Sequence, residues 1–222
     1  MSFYHNNIDL ICKKYPSFKN DILDKFTLSS NFLISESKSG YPTAKIDGKY
    51  IHSNRDPVRE AERLIQLEIP QGSSSCIVEG FGLGYYIEAI LKLRPDVPVI
   101  VTEPSPERFL KALEERSFKT IIDSPMISLL IGNKTESIRL LLPGLPRGSI
   151  QIFKHRALYE LDIDYYKEVN SFIQHFVSRR EVNTATLKKF GELWVRNLIN
   201  NLDYISEAQD VGSLTDIFKE YP

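Results

Sequence analysis

One stretch constrains this chain more than any other. The apolar run Cys76-Ile77-Val78 leads into Glu79-Gly80-Phe81-Gly82-Leu83-Gly84, and an amphipathic segment follows at once. The segment Ser75 to Glu79 is a short, β-branched, apolar run bounded by turn residues, which is what a strand buried on both faces requires. Glycines placed directly after it let the backbone reverse tightly, and the apolar spacing over residues 85–93 predicts a helix. Residues 98–103 repeat the buried-strand pattern and close on Glu103. Strand, turn, helix and strand make a βαβ unit, with parallel strands and a right-handed crossover. The alternation continues: residues 106–115 predict a helix, 120–123 and 126–131 strands, 136–142 a helix and 149–153 a strand. Such alternation predicts an α/β fold with a doubly wound, mostly parallel sheet.

The flanks read differently. Ile8, Ile11, Cys12 and Tyr15 have helical spacing that Pro16 ends. Over residues 31–53 the period becomes two, with Phe32 and Ile34, Ala44 and Ile46, then Tyr50 and His52. Asp47-Gly48 between the last two pairs predicts a tight hairpin turn, because both central positions need positive φ. Asp56-Pro57 predicts a helix start, with Asp as the cap and Pro at the first helical position, and the helix runs to about Leu67. Beyond Asp162 the strand signals stop, and Tyr165, Val169, Phe172 and Phe176 begin a helical spacing that continues through Leu187, Phe190, Trp194 and Leu198. The expected organisation is an N-terminal α+β cap over residues 1–70, a Rossmann-like domain over 71–160 and a helical tail over 161–222.

Charge and cysteine usage exclude several classes. With 28 Lys and Arg against 29 Asp and Glu, the chain has no global field to draw in a polyanion, so nucleic acid is not the expected partner. Cys12 and Cys76 are far apart and have no metal or redox spacing, which predicts buried thiols in a reducing compartment. No apolar run approaches the roughly 18 residues needed to cross a bilayer. A cytoplasmic protein without a membrane partner is the expectation.

Glu79, Gly80, Gly82, Gly84 and Glu103 form the candidate nucleoside site. Glycines allow close backbone approach, a helix N-terminus favours polar or negative groups, and an acid closing the second strand can accept from ribose hydroxyls. The spacing differs from the dinucleotide fingerprint and resembles the first motif of S-adenosylmethionine-dependent methyltransferases, which implies that cofactor or a nucleotide as ligand, with none strictly required. The same three glycines also arise where a turn is simply tight. No Asn-Pro-Pro-aromatic or Pro-Cys motif follows the fourth strand, and no residue set points to a catalytic role or a metal. His52, Ser53 and Asp56 are expected to be structural, and Arg59 or Arg63 to pair with Glu60 or Glu62 on an exposed helix face. Lys154, His155 and Arg156 follow a predicted strand at the ligand-binding edge of the sheet, as an anion contact or a solvated loop. Phe190, Trp194 and Leu198 share a helix face that needs a cover, either the chain's own sheet or a neighbouring subunit or domain.

Five stretches together resemble the N-terminal part of the motility accessory factor family of bacterial flagellin glycosyltransferases. They are Thr43-Ala44-Lys45-Ile46-Asp47-Gly48-Lys49-Tyr50-Ile51-His52-Ser53, Asp56-Pro57-Val58-Arg59-Glu60-Ala61-Glu62-Arg63, Glu79-Gly80-Phe81-Gly82-Leu83-Gly84-Tyr85, Thr102-Glu103-Pro104-Ser105-Pro106-Glu107-Arg108-Phe109 and Phe190-Gly191-Glu192-Leu193-Trp194-Val195-Arg196-Asn197. They occur in the family's order. The resemblance implies a parent protein that transfers a nonulosonic acid from a CMP donor to flagellin through a later catalytic domain. It places Lys219 to Pro222 near the start of that domain and makes this region a non-catalytic accessory domain. The partners it implies are the C-terminal catalytic domain and flagellin, and the apolar face of the helical tail adds a second copy as a further expected partner.

Overall fold

The computed structural model describes residues 3–25, 32–202 and 204. The chain divides into two compact units, Met1–Ile173 and Gln174–Pro222.

The first unit holds two sheets. β1 (Leu33–Glu36), β2 (Pro42–Ile46) and β3 (Lys49–Tyr50) form an antiparallel meander, in which Asp47 and Gly48 take φ of 49° and 78°, as the hairpin turn requires. The four-stranded sheet is parallel throughout, in the order β6 (Ile127–Ile131), β5 (Val99–Glu103), β4 (Ser75–Glu79), β7 (Ile150–Lys154). Every residue of β4 and β5 is buried, which explains their uninterrupted apolar sequences. The direction of winding reverses between β4 and β7, so the ligand crevice typical of open α/β sheets lies at the ends of these two strands.

Helices α1 (Phe3–Lys14), α2 (Pro57–Glu68), α3 (Tyr85–Leu93), α4 (Pro106–Glu115) and α5 (Lys119–Asp123) pack around the sheets, and α6 (Arg156–Leu161) follows β7. Their starts follow the predicted chemistry. Asp56 accepts from the Arg59 amide at 2.9 Å, Ser105 accepts from the Arg108 amide at 3.2 Å, and each is followed by a proline. Residues from both sheets share one core, with Ile46 and Ile51 beside Val78, Phe81 and Val101, so the expected cap and Rossmann-like regions lie in one unit.

Three local expectations change. Residues 120–123, expected as a strand from their β-branched content, fold as α5. The cause is tertiary: Asn7 of α1 donates to the carbonyls of Leu113 and Arg116 and accepts from the Phe118 amide, which holds this corner in a helical turn with Ile121 and Ile122 inward. Residues 136–142, expected as a helix, form two 3-10 turns, Thr135–Leu140 and Leu142–Gly144. Pro143 has no amide hydrogen for a regular α-helical ladder there. Glu60 keeps the attraction of Arg63, but the hydrogen bonds of Glu60 and Glu62 go elsewhere. Glu60 turns inward to accept from the Ser53 amide at 2.8 Å, and Glu62 pairs with Lys92 at 2.6 Å. Of the cysteines, both free, Cys76 is buried and Cys12 half-buried.

Helix α7 (Ile163–Asn200) contributes Tyr166, Val169 and Ile173 to the first unit's interior. Within the second unit the described residues remain helical almost throughout, and none of them is buried. The chain end from Lys219 to Pro222 lies outside the described residues. No helix among the described residues is long and apolar enough to cross a membrane.

Candidate functional site

The site is built from the end of β4 outward. Glu79 closes the strand, Gly80 to Gly84 turn the chain, and Gly84 is the residue before α3. The whole turn is buried. Gly80, Gly82 and Gly84 have φ of 103°, 56° and 77°, a region that only glycine enters without strain.

Space is as limiting as the dihedral angle, and protein fills it. A β-carbon on Gly82 would lie 2.6 Å from Nε2 of His52 and 2.9 Å from Nε2 of His155. A β-carbon on Gly80 would lie 2.9 Å from Cβ of His155 and 3.0 Å from Leu158. Close backbone approach is therefore used, but the groups that approach are this chain's own side chains.

His52 reaches the turn from just beyond β3, where Thr43 donates to its carbonyl at 3.0 Å. Its Nε2 accepts from the Leu83 amide at 3.0 Å, which leaves the ring proton on Nδ1. His155 follows β7 at the winding reversal, and its amide donates to the Glu79 carbonyl at 2.9 Å. The two rings meet at 4.8 Å between centroids, with Tyr85 and Tyr86 beside them. Burial holds the His52 imidazole well below its ordinary pKa, helped by His155 and Arg116, and burial pushes His155 down to about 3. Both are neutral near pH 7. Nδ1 of His52 and Nε2 of His155 are buried without a hydrogen bond.

Glu103 is also fully buried, and its acceptors are occupied. Oε2 accepts from the Phe81 amide at 3.1 Å, and Oε1 accepts from the Ser105 amide at 3.1 Å and from Nε and Nη2 of Arg108 at 3.1 and 2.6 Å. Arg108 also pairs with Asp162. The acid expected to hold a ribose instead ties the glycine turn to the start of α4 and, through Arg108, to the end of α6.

Glu79 has the opposite character. Neither carboxyl oxygen has a hydrogen bond, and the nearby Tyr166 hydroxyl and Asn170 Oδ1 also lack one. Burial pushes the carboxyl up to about 7, with Lys154 and the side chain of Asn170 drawing it down. A carboxyl in such surroundings can hold a proton near neutrality.

The structure thus brings all five predicted residues to one turn, with Glu79 and Glu103 on separate duties. Lys154 lies over the Tyr159 ring at 4.4 Å and Arg156 pairs with Glu68 at 3.5 Å, while His155 between them points inward. Beside them a cleft of about 280 Å³ is lined by Tyr50, Glu60, Tyr86, Lys154 and Arg156, among others. Sequence reasoning missed the coverage of the turn by His52 and His155, and the link from Arg108 to Asp162. One signal was present: His155 directly follows the strand at which the winding reverses. Among the described residues no group of three or more His, Cys, Asp or Glu is placed to hold a metal ion.

No family model and no solved structure matches the chain. An uncharacterized protein of Treponema pallidum (strain Nichols) is 25% identical over 224 residues, a span covering 96% of this chain and 75% of that protein.

Proposed function

We propose that this chain is the N-terminal accessory domain of a motility accessory factor-like glycosyltransferase, serving recognition and docking in flagellin glycosylation and carrying out no catalysis by itself. The observation that carries this reading is the filled crevice. His52, His155 and Leu158 pack against the glycine turn, and every acceptor that would meet a ribose at Glu103 is engaged by Phe81, Ser105 and Arg108. A Rossmann-like sheet arranged this way is a rigid platform, and its ligand edge is part of its own core. The resemblance of the five ordered sequence stretches to that family supports this reading and the substrate class that goes with it. The test is removal of residues 1–160 from the parent glycosyltransferase. Flagellin glycosylation in cells is expected to fall at least tenfold while the remaining protein stays folded, and unchanged glycosylation would refute the role.

One observation favours a second reading, nucleoside or S-adenosylmethionine binding. Glu79 is a buried carboxyl at the strand end with two unused acceptors. Thermal unfolding separates the readings, because a ligand that binds only the folded state raises stability as RT ln(1 + [L]/Kd). With the crevice filled, about 1 mM S-adenosylmethionine, S-adenosylhomocysteine or cytidine nucleotide is expected to leave the midpoint unchanged. A rise of several degrees with one of them would establish the turn as a nucleoside site.

A further inference from the structure

Buried polar groups in folded proteins almost always have partners. Among the described residues, four oxygens where β4 ends beside the start of α7 have none: Oε1 and Oε2 of Glu79, the Tyr166 hydroxyl and Oδ1 of Asn170. Glu79 and Tyr166 are fully buried, and all three residues belong to the first unit. Tyr166 and Asn170 stand one turn apart on the same face of α7. Each lies close enough to the Glu79 carboxyl to interact with it electrostatically, so the four oxygens gather at one place.

The charge around that place is unbalanced. Burial holds the proton on the Tyr166 hydroxyl, helped by Glu103, Asp162 and Glu79 and opposed by Arg108. Three carboxyls therefore surround one guanidinium, and Arg108 is already taken by Glu103, at 2.6 Å, and by Asp162. Lys154 is the cation left to Glu79. It is exposed, and its ammonium lies 4.4 Å from the centre of the Tyr159 ring, which itself stacks on Tyr166 at 5.4 Å. Glu79 thus carries a buried negative charge with no bonded counter-charge. Ordered water would satisfy the oxygens and leave that charge unmatched. With one carboxylate and no nitrogen or sulfur, the set suits a hard cation of a single charge, since a divalent ion would bury a second charge unpaired.

We propose that Glu79, Tyr166 and Asn170 hold one monovalent cation of the potassium or ammonium kind, bound through oxygen atoms alone. The ion neutralises Glu79 and ties the end of β4 to the first turns of α7. It uses the acceptors that the nucleoside reading gives to a ligand, and the two are told apart because a nucleoside site responds to the nucleotides named above and not to the choice of cation.

Thermal unfolding of the full chain tests this at about pH 8 and constant ionic strength, with about 100 mM choline chloride exchanged for potassium or ammonium chloride. For a site half-filled near 10 mM, the midpoint is expected to rise by about 4 °C in at least one of the two salts. Glu79→Gln removes the charge and is expected to abolish the rise. Tyr166→Phe keeps the ring against Tyr159 and is expected to cut the rise at least by half. Equal wild-type midpoints in all three salts would overturn the proposal however the variants behave. So would an undiminished rise in Glu79→Gln, which would report a general salt effect, or a larger rise with millimolar calcium or magnesium, which would report a divalent site. An indifferent wild type beside a responsive Lys154→Gln would overturn it by making Lys154 the cation that Glu79 holds.

Discussion

Glu79 sits buried at a strand end, and burial raises its proton affinity to about 7 against the pull of Lys154 and the Asn170 side chain. In the unfolded chain the same group titrates near 4.3. Between those values the folded state holds a proton that the unfolded state has released, so this residue's contribution to stability is complete below the lower value and lost as pH rises through the upper one. The two histidines act in the other direction. His155, lowered to about 3, costs stability as pH falls below about 6.5, because the unfolded chain then binds a proton that the fold excludes. The wild-type profile mixes the two, and a variant separates them. Urea unfolding of Glu79→Gln against wild type should show little difference at pH 4 and a gain of about 3 kcal/mol for the variant at pH 8. An equal difference at both pH values would mean that Glu79 is not protonated in the fold. Gly82 supplies a second residue-scale prediction. Alanine there meets both a positive φ of 56° and two imidazoles, so Gly82→Ala should lower the unfolding free energy by about 3 kcal/mol. Adding His155→Ala should return part of that loss if the clash, beyond the dihedral angle, matters. The glycines were legible in the sequence as a tight turn, but the groups filling the space above them were not. His52 and His155 reach Gly82 from about 30 and 70 residues away, and no local pattern encodes that meeting.

At the scale of elements, the segments that local chemistry decides were the legible ones. The helices Tyr85–Leu93 and Pro106–Glu115 and the strand Ser75–Glu79 have the predicted bounds, because a glycine turn, a Ser-Pro cap and a doubly buried strand each leave a short-range signature. Lys119–Asp123 was not legible, because an asparagine more than 100 residues away decides it. Asn7 is 1% exposed and makes three hydrogen bonds to the α4–α5 corner, two given by its amide and one accepted from Phe118. Asn7→Leu would keep the branching of the side chain and strand two carbonyls and an amide. Each buried polar group left without a partner costs about 1–3 kcal/mol, so a loss of about 3–5 kcal/mol in chemical denaturation is expected. The substitution Asn7→Asp would remove the donors alone and tests which half of the pattern dominates. By contrast the hydrogen bond of the half-buried Asp56 cap is open to solvent, and Asp56→Ala should cost only about 1 kcal/mol.

For the whole molecule, the distribution of burial has a consequence that the sequence concealed. The apolar spacing beyond Asp162 suggested a tail covered along its length, yet the last buried residue among those described is Ile173. The apolar pattern continues past that point, through residues none of which is buried among those described. Periodicity shows which face of a helix is apolar and is silent about what covers it. All of the described core therefore belongs to the first unit, and that unit should fold without the second. A chain ending at Ile173 is expected to unfold cooperatively, with a midpoint within about 3 °C of the full chain, because it gives up no buried residue and loses only exposed helix. Circular dichroism at 222 nm checks this directly, with the helical signal per chain falling by the share of the removed helix. A drop of ten degrees or more would mean that residues beyond Ile173 stabilise the first unit, either through their own contacts or by holding two copies together. Repeating the melt over a range of protein concentrations separates these causes, since stability linked to association rises with concentration and stability within one chain does not.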